Sequence, residues 1–311
     1  MQKRKYYSEI SLQSIKNNRL IHLMPVNRRE HTSNSRRNIG VNWISPKNNK
    51  HPVLGSRKRT FLFRGQKDAE WELETSLDRF LKQIHKSDKK KVEPYLIEEF
   101  QRRYRNYANN VPNRNNKIEW WALMQHYGAP TRLLDWTHSY FVALFFALED
   151  IENRNKQSAV WAIDADWLRE KYKENLELTA TLTNDPHMSR IATFKQFNDK
   201  PIILRLNPFL LHERLSVQQG RFLIPGKVPV SFSDNLIEFA GGKNILKKYI
   251  YKIIIPKDQE LRKNRLEDLF RMNISRASLF PDLEGYARSL RTLTYSMPKL
   301  LNKPEFLERI H

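Results

Sequence analysis

Residues Trp120–Asp150 read WWALMQHYGAPTRLLDWTHSYFVALFFALED, and their pattern decides the fold. The opening residues have the apolar density of a buried helix. Gly128-Ala129-Pro130 stops it, because glycine accepts a helix-ending backbone conformation and proline cannot continue the helix. The run Tyr140–Leu148 is apolar nearly all round, which predicts a second helix with no solvent face, lying in the core. Trp121, Leu144 and Phe145 are expected as core residues. Between the helices, Thr131–Thr137 is expected to form a turn that holds Arg132, Asp135 and Thr137, with His126 at its edge. Polar groups in a short turn beside a core form either a structural hydrogen-bond network or a site.

Working outward, Thr60–Gln66 has the consecutive apolar residues of a strand buried on both faces, with Gly65 closing it. Ser76 is a candidate cap for a short helix at Leu77–Leu81. Pro94 is expected to open a longer helix whose face is Leu96, Phe100, Tyr104 and Tyr107. Strands are expected at Ser158–Ile163, Pro201–Leu206 and Ile250–Ile255. Helices are expected after Asp164, after Pro256 with Leu261, Leu266, Leu269 and Phe270 inward, and after Pro281. Gln218 and Gln219 fall in a turn that Arg214–Val217 and Phe222–Ile224 frame as strands. The result is an α+β chain, a mixed β-sheet core flanked by helices. It divides into a basic N-terminal extension over 1–59, one main domain over 60–295 and a tail over 296–311.

With 311 residues and 40% hydrophobic content, the chain can bury a sizeable core. It has no cysteine, which excludes disulfides, thiolate nucleophiles and cysteine metal ligands. No signal-peptide h-region opens the chain, and the longest apolar run is far short of the ~20 residues that span a bilayer. A cytoplasmic protein with no membrane association is expected. The formal charge is +21, and the first sixty residues carry fourteen Lys/Arg against Glu9 and Glu30. Such an extension either tracks the phosphates of a nucleic acid, with aromatics such as Trp43 stacking on bases, or is a solvated basic face.

Phosphate-binding glycine loops, HExxH and GxSxG are all absent, and the nine histidines are dispersed, so no metal site is expected. His126 and Asp135 form either a base and its orienting acid, or a helix-end histidine and a partner for Arg132. Arg64, at the end of a buried strand, needs an anion. Either it captures a carboxylate or phosphate ligand, with Gly65 letting the ligand approach the backbone, or it pairs with Asp135 or Glu119.

Several blocks together carry a family pattern. They are Phe63-Arg64-Gly65-Gln66 with Trp71, Leu73, Leu77 and Arg79; Trp120–Thr137 with Ala143–Ala147; Arg214, Gln218-Gln219-Gly220 and Phe222; and Ser278–Gly285. This resembles the bacterial FRG domain over roughly residues 55–290. The order of its parts is also similar to an ADP-ribosyltransferase-like fold. That second likeness implies NAD as the ligand, held by Arg64, Gly65, Gln66, Arg132, Thr137 and Gln218, with Thr137 or Ser139 supporting Arg64 or the nicotinamide. It puts Gln219 where the family's catalytic glutamate stands, and a neutral glutamine cannot stabilise developing positive charge. Glu213, Glu149 or Asp135 must then supply the carboxylate, or the nucleotide is bound without turnover. The implied role is an NAD-using effector in toxin or anti-phage defence. The alternatives are a non-catalytic nucleic-acid-binding module built on residues 1–60, and a regulatory partner of another protein.

Overall fold

Two facing strands show how the sheet sorts its side chains. In β2 (Phe61–Gln66) and β4 (Ser158–Asp164), successive residues point to opposite faces. Leu62, Trp161 and Ile163 join one hydrophobic cluster, while Phe63, Val160 and Ala162 join another. Both faces are therefore cores, which is why β2 and β4 read as unbroken apolar runs. The computed structural model describes residues 7–11, 60–108, 110–149, 156–177, 199–206 and 213–296. Apart from 7–11, the basic extension lies outside these residues, Trp43 included, as does the tail beyond 296.

The remaining strands are β1 (Ser8–Ser11), β3 (Leu134–Thr137), β5 (Ile203–Leu206), β6 (Gly220–Pro225) and β7 (Ile250–Ile255). They form a seven-stranded sheet in the order β1-β7-β4-β2-β3-β6-β5. The β1–β7 pair is parallel and the others are antiparallel, so the sheet is mixed and the class is α+β. Tyr7 packs edge-on against Trp161, with ring centroids 4.7 Å apart, and tethers the β1 edge to the core.

Helices cover both faces. On the Leu62 side lie α2 (Lys89–Tyr104), α3 (Lys117–His126), α5 (Ala165–Glu177), α7 (Phe232–Ala240) and α8 (Lys243–Leu246), and α1 (Ser76–Leu81) packs beside α2. On the Phe63 side lie α4 (Tyr140–Leu148), α9 (Gln259–Arg271) and α10 (Arg276–Leu279). The short α6 (Glu213–Val217) precedes β6, and α11 (Leu283–Ser296) follows α10. Among the described residues no helix is long and apolar enough to cross a membrane.

Gly65 has a different role from the one expected. It lies inside β2, on the face that α4 covers, and a Cβ there would come within 2.0 Å of the Ala143 carbonyl oxygen. The helix occupies the space a ligand would need, so the glycine serves close helix–sheet packing. The stretch expected as a turn contains a strand, β3, whose four residues are too few to show a period. α1 is capped by Thr75 through a reciprocal capping box with Asp78. Ser76 instead exchanges hydrogen bonds with the backbone of Thr131. α2 begins at Lys89, five residues ahead of Pro94, at the cost of one ladder bond. Leu96, Phe100 and Tyr104 pack on the core, while Tyr107 lies past the helix end and is exposed. Arg214–Val217 is helical, so Gln218 and Gln219 join a helix to a strand.

Candidate functional site

β2 and β3 are neighbours that share a single residue pair, Phe63 with Thr137. By contrast β2 and β4 are paired along six residues. From that pair towards Arg64 and Asp135 the two central strands part, and the Arg64 side chain crosses the gap. Its Nη1 donates to the Asp135 carbonyl at 2.8 Å and lies 3.8 Å from the Asp135 carboxylate. A cleft of about 1460 Å3 opens here, lined by Arg64, Gln66, His126, Asp135, Thr137, Gln218 and residues of α10 and α11. Segments from three distant parts of the chain thus meet at one place.

The groups differ in how fully the protein occupies them. Asp135 Oδ2 accepts from Gln125 Nε2 at 2.8 Å, and Gln125 Oε1 accepts from the Thr131 hydroxyl. The Asp135 side chain is still 55% exposed to the cleft. Arg64 is only 21% exposed, and its Nε is buried with no hydrogen-bond partner. Burial pushes its guanidinium below the ordinary value; Asp135 opposes that shift and Arg79 adds to it. An anion in the cleft would restore what burial removes.

The Thr137 hydroxyl donates to the Gln218 carbonyl at 2.7 Å and accepts from Ser139 N–H. The Gln218 amide donates to the Leu279 carbonyl at 2.9 Å. These two residues join β3, the α6–β6 turn and α10. Gln66 is tied on both sides, accepting from Trp161 Nε1 and donating to the Glu72 carbonyl.

Three expected members are elsewhere or otherwise engaged. Gln219 has a left-handed φ of 49°, is exposed and is not among the cleft-lining residues. The twist that this conformation gives the chain turns its side chain out while Gln218 stays in. Arg132 is buried on the other side of the turn. Its Nε donates to Glu93 Oε1 at 2.6 Å, Nη2 meets the other Glu93 oxygen, and Nη1 reaches the Pro225 and Gly226 carbonyls. His126 lines the cleft, but Asp135 forms its polar contacts with Gln125 and Arg64, so the two are not a hydrogen-bonded base and orienter. Of the carboxylates considered for charge, Glu213 is exposed on α6 away from the cleft. Glu149 lines it but is paired with Arg276 at 2.6 Å. Asp135 is the one left open.

The residues not anticipated sit at the far side. Arg214 lies over the Phe280 ring at 4.1 Å, and Arg276 lies over the same ring at 4.3 Å. Burial pushes the Arg214 guanidinium down; Asp135, Asp282 and Glu149 oppose that shift, and Arg276 adds to it. The signal was present in the block Ser278–Gly285. Gly285 packs so tightly on Phe280 that a Cβ would come within 2.2 Å of its carbonyl oxygen. Only the fold shows what that packing holds in place.

Residues 59–156 match the FRG domain family. Comparison with curated proteins and with solved structures returns no match. The matched stretch contains β2, β3 and α4, with Arg64, Gly65, His126, Arg132, Asp135 and Thr137. The chain carries an FRG domain, and the two strands that part to open the cleft both belong to it.

Proposed function

We propose that the cleft is a nucleotide site of the ADP-ribosyltransferase-like kind, taking NAD as its ligand. The observation that carries this reading is the convergence of Arg64, Asp135 and Gln218 where β2 and β3 part, with Asp135 pinned through its backbone and its carboxylate open. The volume of about 1460 Å3 is ample for a dinucleotide, whose sites are commonly ~300–1,000 Å3. Trp71 and Tyr127, 48% and 63% exposed, line the same cleft and offer faces on which a base stacks.

When the bond between nicotinamide and ribose in NAD breaks, nicotinamide leaves with the bonding pair and water or a target nucleophile bonds to the sugar carbon; the positive charge that develops on the sugar in between is the kind a carboxylate stabilises. Asp135 is the carboxylate placed for that work. Gln125 and Arg64 orient it, Thr137 and Gln218 fix the neighbouring walls, and Gln66 supports the floor through Trp161. Glu149, held by Arg276, is not free for the role. Seven Lys/Arg and seven Asp/Glu line the cleft, a balance that suits a small ligand with localised charge better than a polyanion track. An NAD-consuming effector in toxin or anti-phage defence is the setting that fits such an activity.

The test is nicotinamide release from NAD by the purified full chain. We expect turnover in the native protein and a loss of about 100- to 1,000-fold in Asp135→Asn, the usual cost of removing one transition-state charge partner. If the native protein neither consumes nor binds NAD, the reading fails.

A further inference from the structure

We infer that Arg214, Phe280 and Arg276 form a dedicated phosphate site at the end of the cleft formed by α6, α10 and α11, and that it takes the diphosphate of a nucleotide. This rests on the nucleotide reading only for the identity of the ligand; the site itself stands on its own geometry.

Two guanidiniums share one aromatic ring. Arg214 lies over Phe280 at 4.1 Å and Arg276 at 4.3 Å. Like charges gathered on one ring repel, and Arg276 does push the Arg214 pKa down. The protein neutralises only one of them directly: Arg276 pairs with Glu149 at 2.6 Å. Among the described residues the Arg214 side chain makes no ion pair and no hydrogen bond; its contact is the ring face. A guanidinium stacked by its face keeps its N–H donors at its edge, and Arg214 lines the cleft. The Arg276 Nε is also buried with no hydrogen-bond partner. Two planar donor forks with unused N–H groups, partly removed from water, match the paired oxygens of a phosphate.

The ring is built to hold its place. Phe280 is 7% exposed. Gly285 presses on its backbone where any side chain would collide, and the Gln218 amide holds the preceding Leu279 carbonyl. Asp135 lines the cleft with both arginines and exerts its charge on each of them. A nucleotide whose sugar meets Asp135 and whose phosphates meet Arg214 and Arg276 puts each group against its complement.

Inorganic pyrophosphate is the probe, titrated calorimetrically into the full-length protein, with ADP-ribose and adenosine in parallel. We expect pyrophosphate to bind the native protein and Arg214→Gln to weaken it by about 10- to 100-fold, the worth of charge-assisted hydrogen bonds. Arg214→Lys, which keeps the charge without the fork, should fall in between. Adenosine should bind both proteins alike. A melting curve of Arg214→Gln that matches the native protein establishes that the variant is folded; should it fail, Arg214→Lys carries the same comparison. If the native protein does not bind pyrophosphate, or the folded variant binds it equally, the phosphate site is overturned whatever nucleotides do. If pyrophosphate binds and depends on Arg214 while ADP-ribose and NAD do not bind, the phosphate site stands and the nucleotide reading falls.

Discussion

Arg132 and Arg214 make an instructive pair. Each is a guanidinium over an aromatic ring, Arg132 at 5.0 Å from Trp121 and Arg214 at 4.1 Å from Phe280. Both are at least partly buried. Arg132 spends its donors on Glu93 and on the carbonyls of Pro225 and Gly226. Arg214 spends none within the described residues. Burial and stacking therefore do not separate a structural arginine from one that faces a ligand. The separation lies in how many N–H groups the protein itself answers.

The comparison breaks or sharpens first at Glu93. Glu93→Gln leaves a buried guanidinium without its counter-charge and should cost about 3–5 kcal/mol in urea unfolding. Replacing both partners, as Glu93→Leu with Arg132→Met, should recover much of that loss, since a well-packed apolar pair avoids the desolvation cost. A cost below about 1 kcal/mol for Glu93→Gln would mean that Arg132 is not the structural member of the pair.

Arg214→Gln should behave oppositely, changing unfolding free energy by less than about 1 kcal/mol. It loses one cation–π contact and relieves a like-charge neighbour, effects of similar size and opposite sign. A loss as large as that of Glu93→Gln would place Arg214 in the frame of the fold and out of the ligand site.

The smallest effect concerns pH beside the cleft. His138 follows Thr137, and its pKa is lowered from 6.5, by burial first and then by Arg221 and Arg205. The unfolded chain binds this proton more readily. The stability due to neutral His138 is therefore complete above about pH 6.5 and is lost as pH falls through the lowered folded value. His138→Gln should flatten that acid limb in pH-dependent melting; an identical limb in both proteins would remove His138 as its source.

Much of the site was legible because its chemistry is concentrated in short blocks. Arg64 beside a buried strand calls for an anion; Asp135 answers it, and Gln218 lines the same cleft. Gly65 shows the limit. A glycine announces that something lies close, but the sequence does not say whether a ligand or the backbone of α4 fills the space. β3 is not legible in the sequence because four residues cannot display alternation. Arg132 and Asp135 are three residues apart, a spacing that suggests partners, yet they belong to opposite sides of the turn. Arg132 reaches Glu93, 39 residues away, which no local pattern encodes. Gln219 failed for a backbone reason, since its left-handed φ aims it away from the cleft where Gln218 remains. Phe280, Arg214 and Arg276 come together only after α10 folds against α6, so their shared ring was invisible in one dimension.

The single rung between Phe63 and Thr137 has a mechanical consequence. Strands β1, β7, β4 and β2 make one plate, and β3, β6 and β5 make another, each internally laced by its own ladder. Where they meet, the sheet joins them through one ladder pair, with the Arg64–Asp135 hydrogen bond beside it. Arg64 is mounted on the first plate and Arg214, through α6, beside the second. A ligand held by both arginines would bridge the two plates across their seam, without unlacing either one.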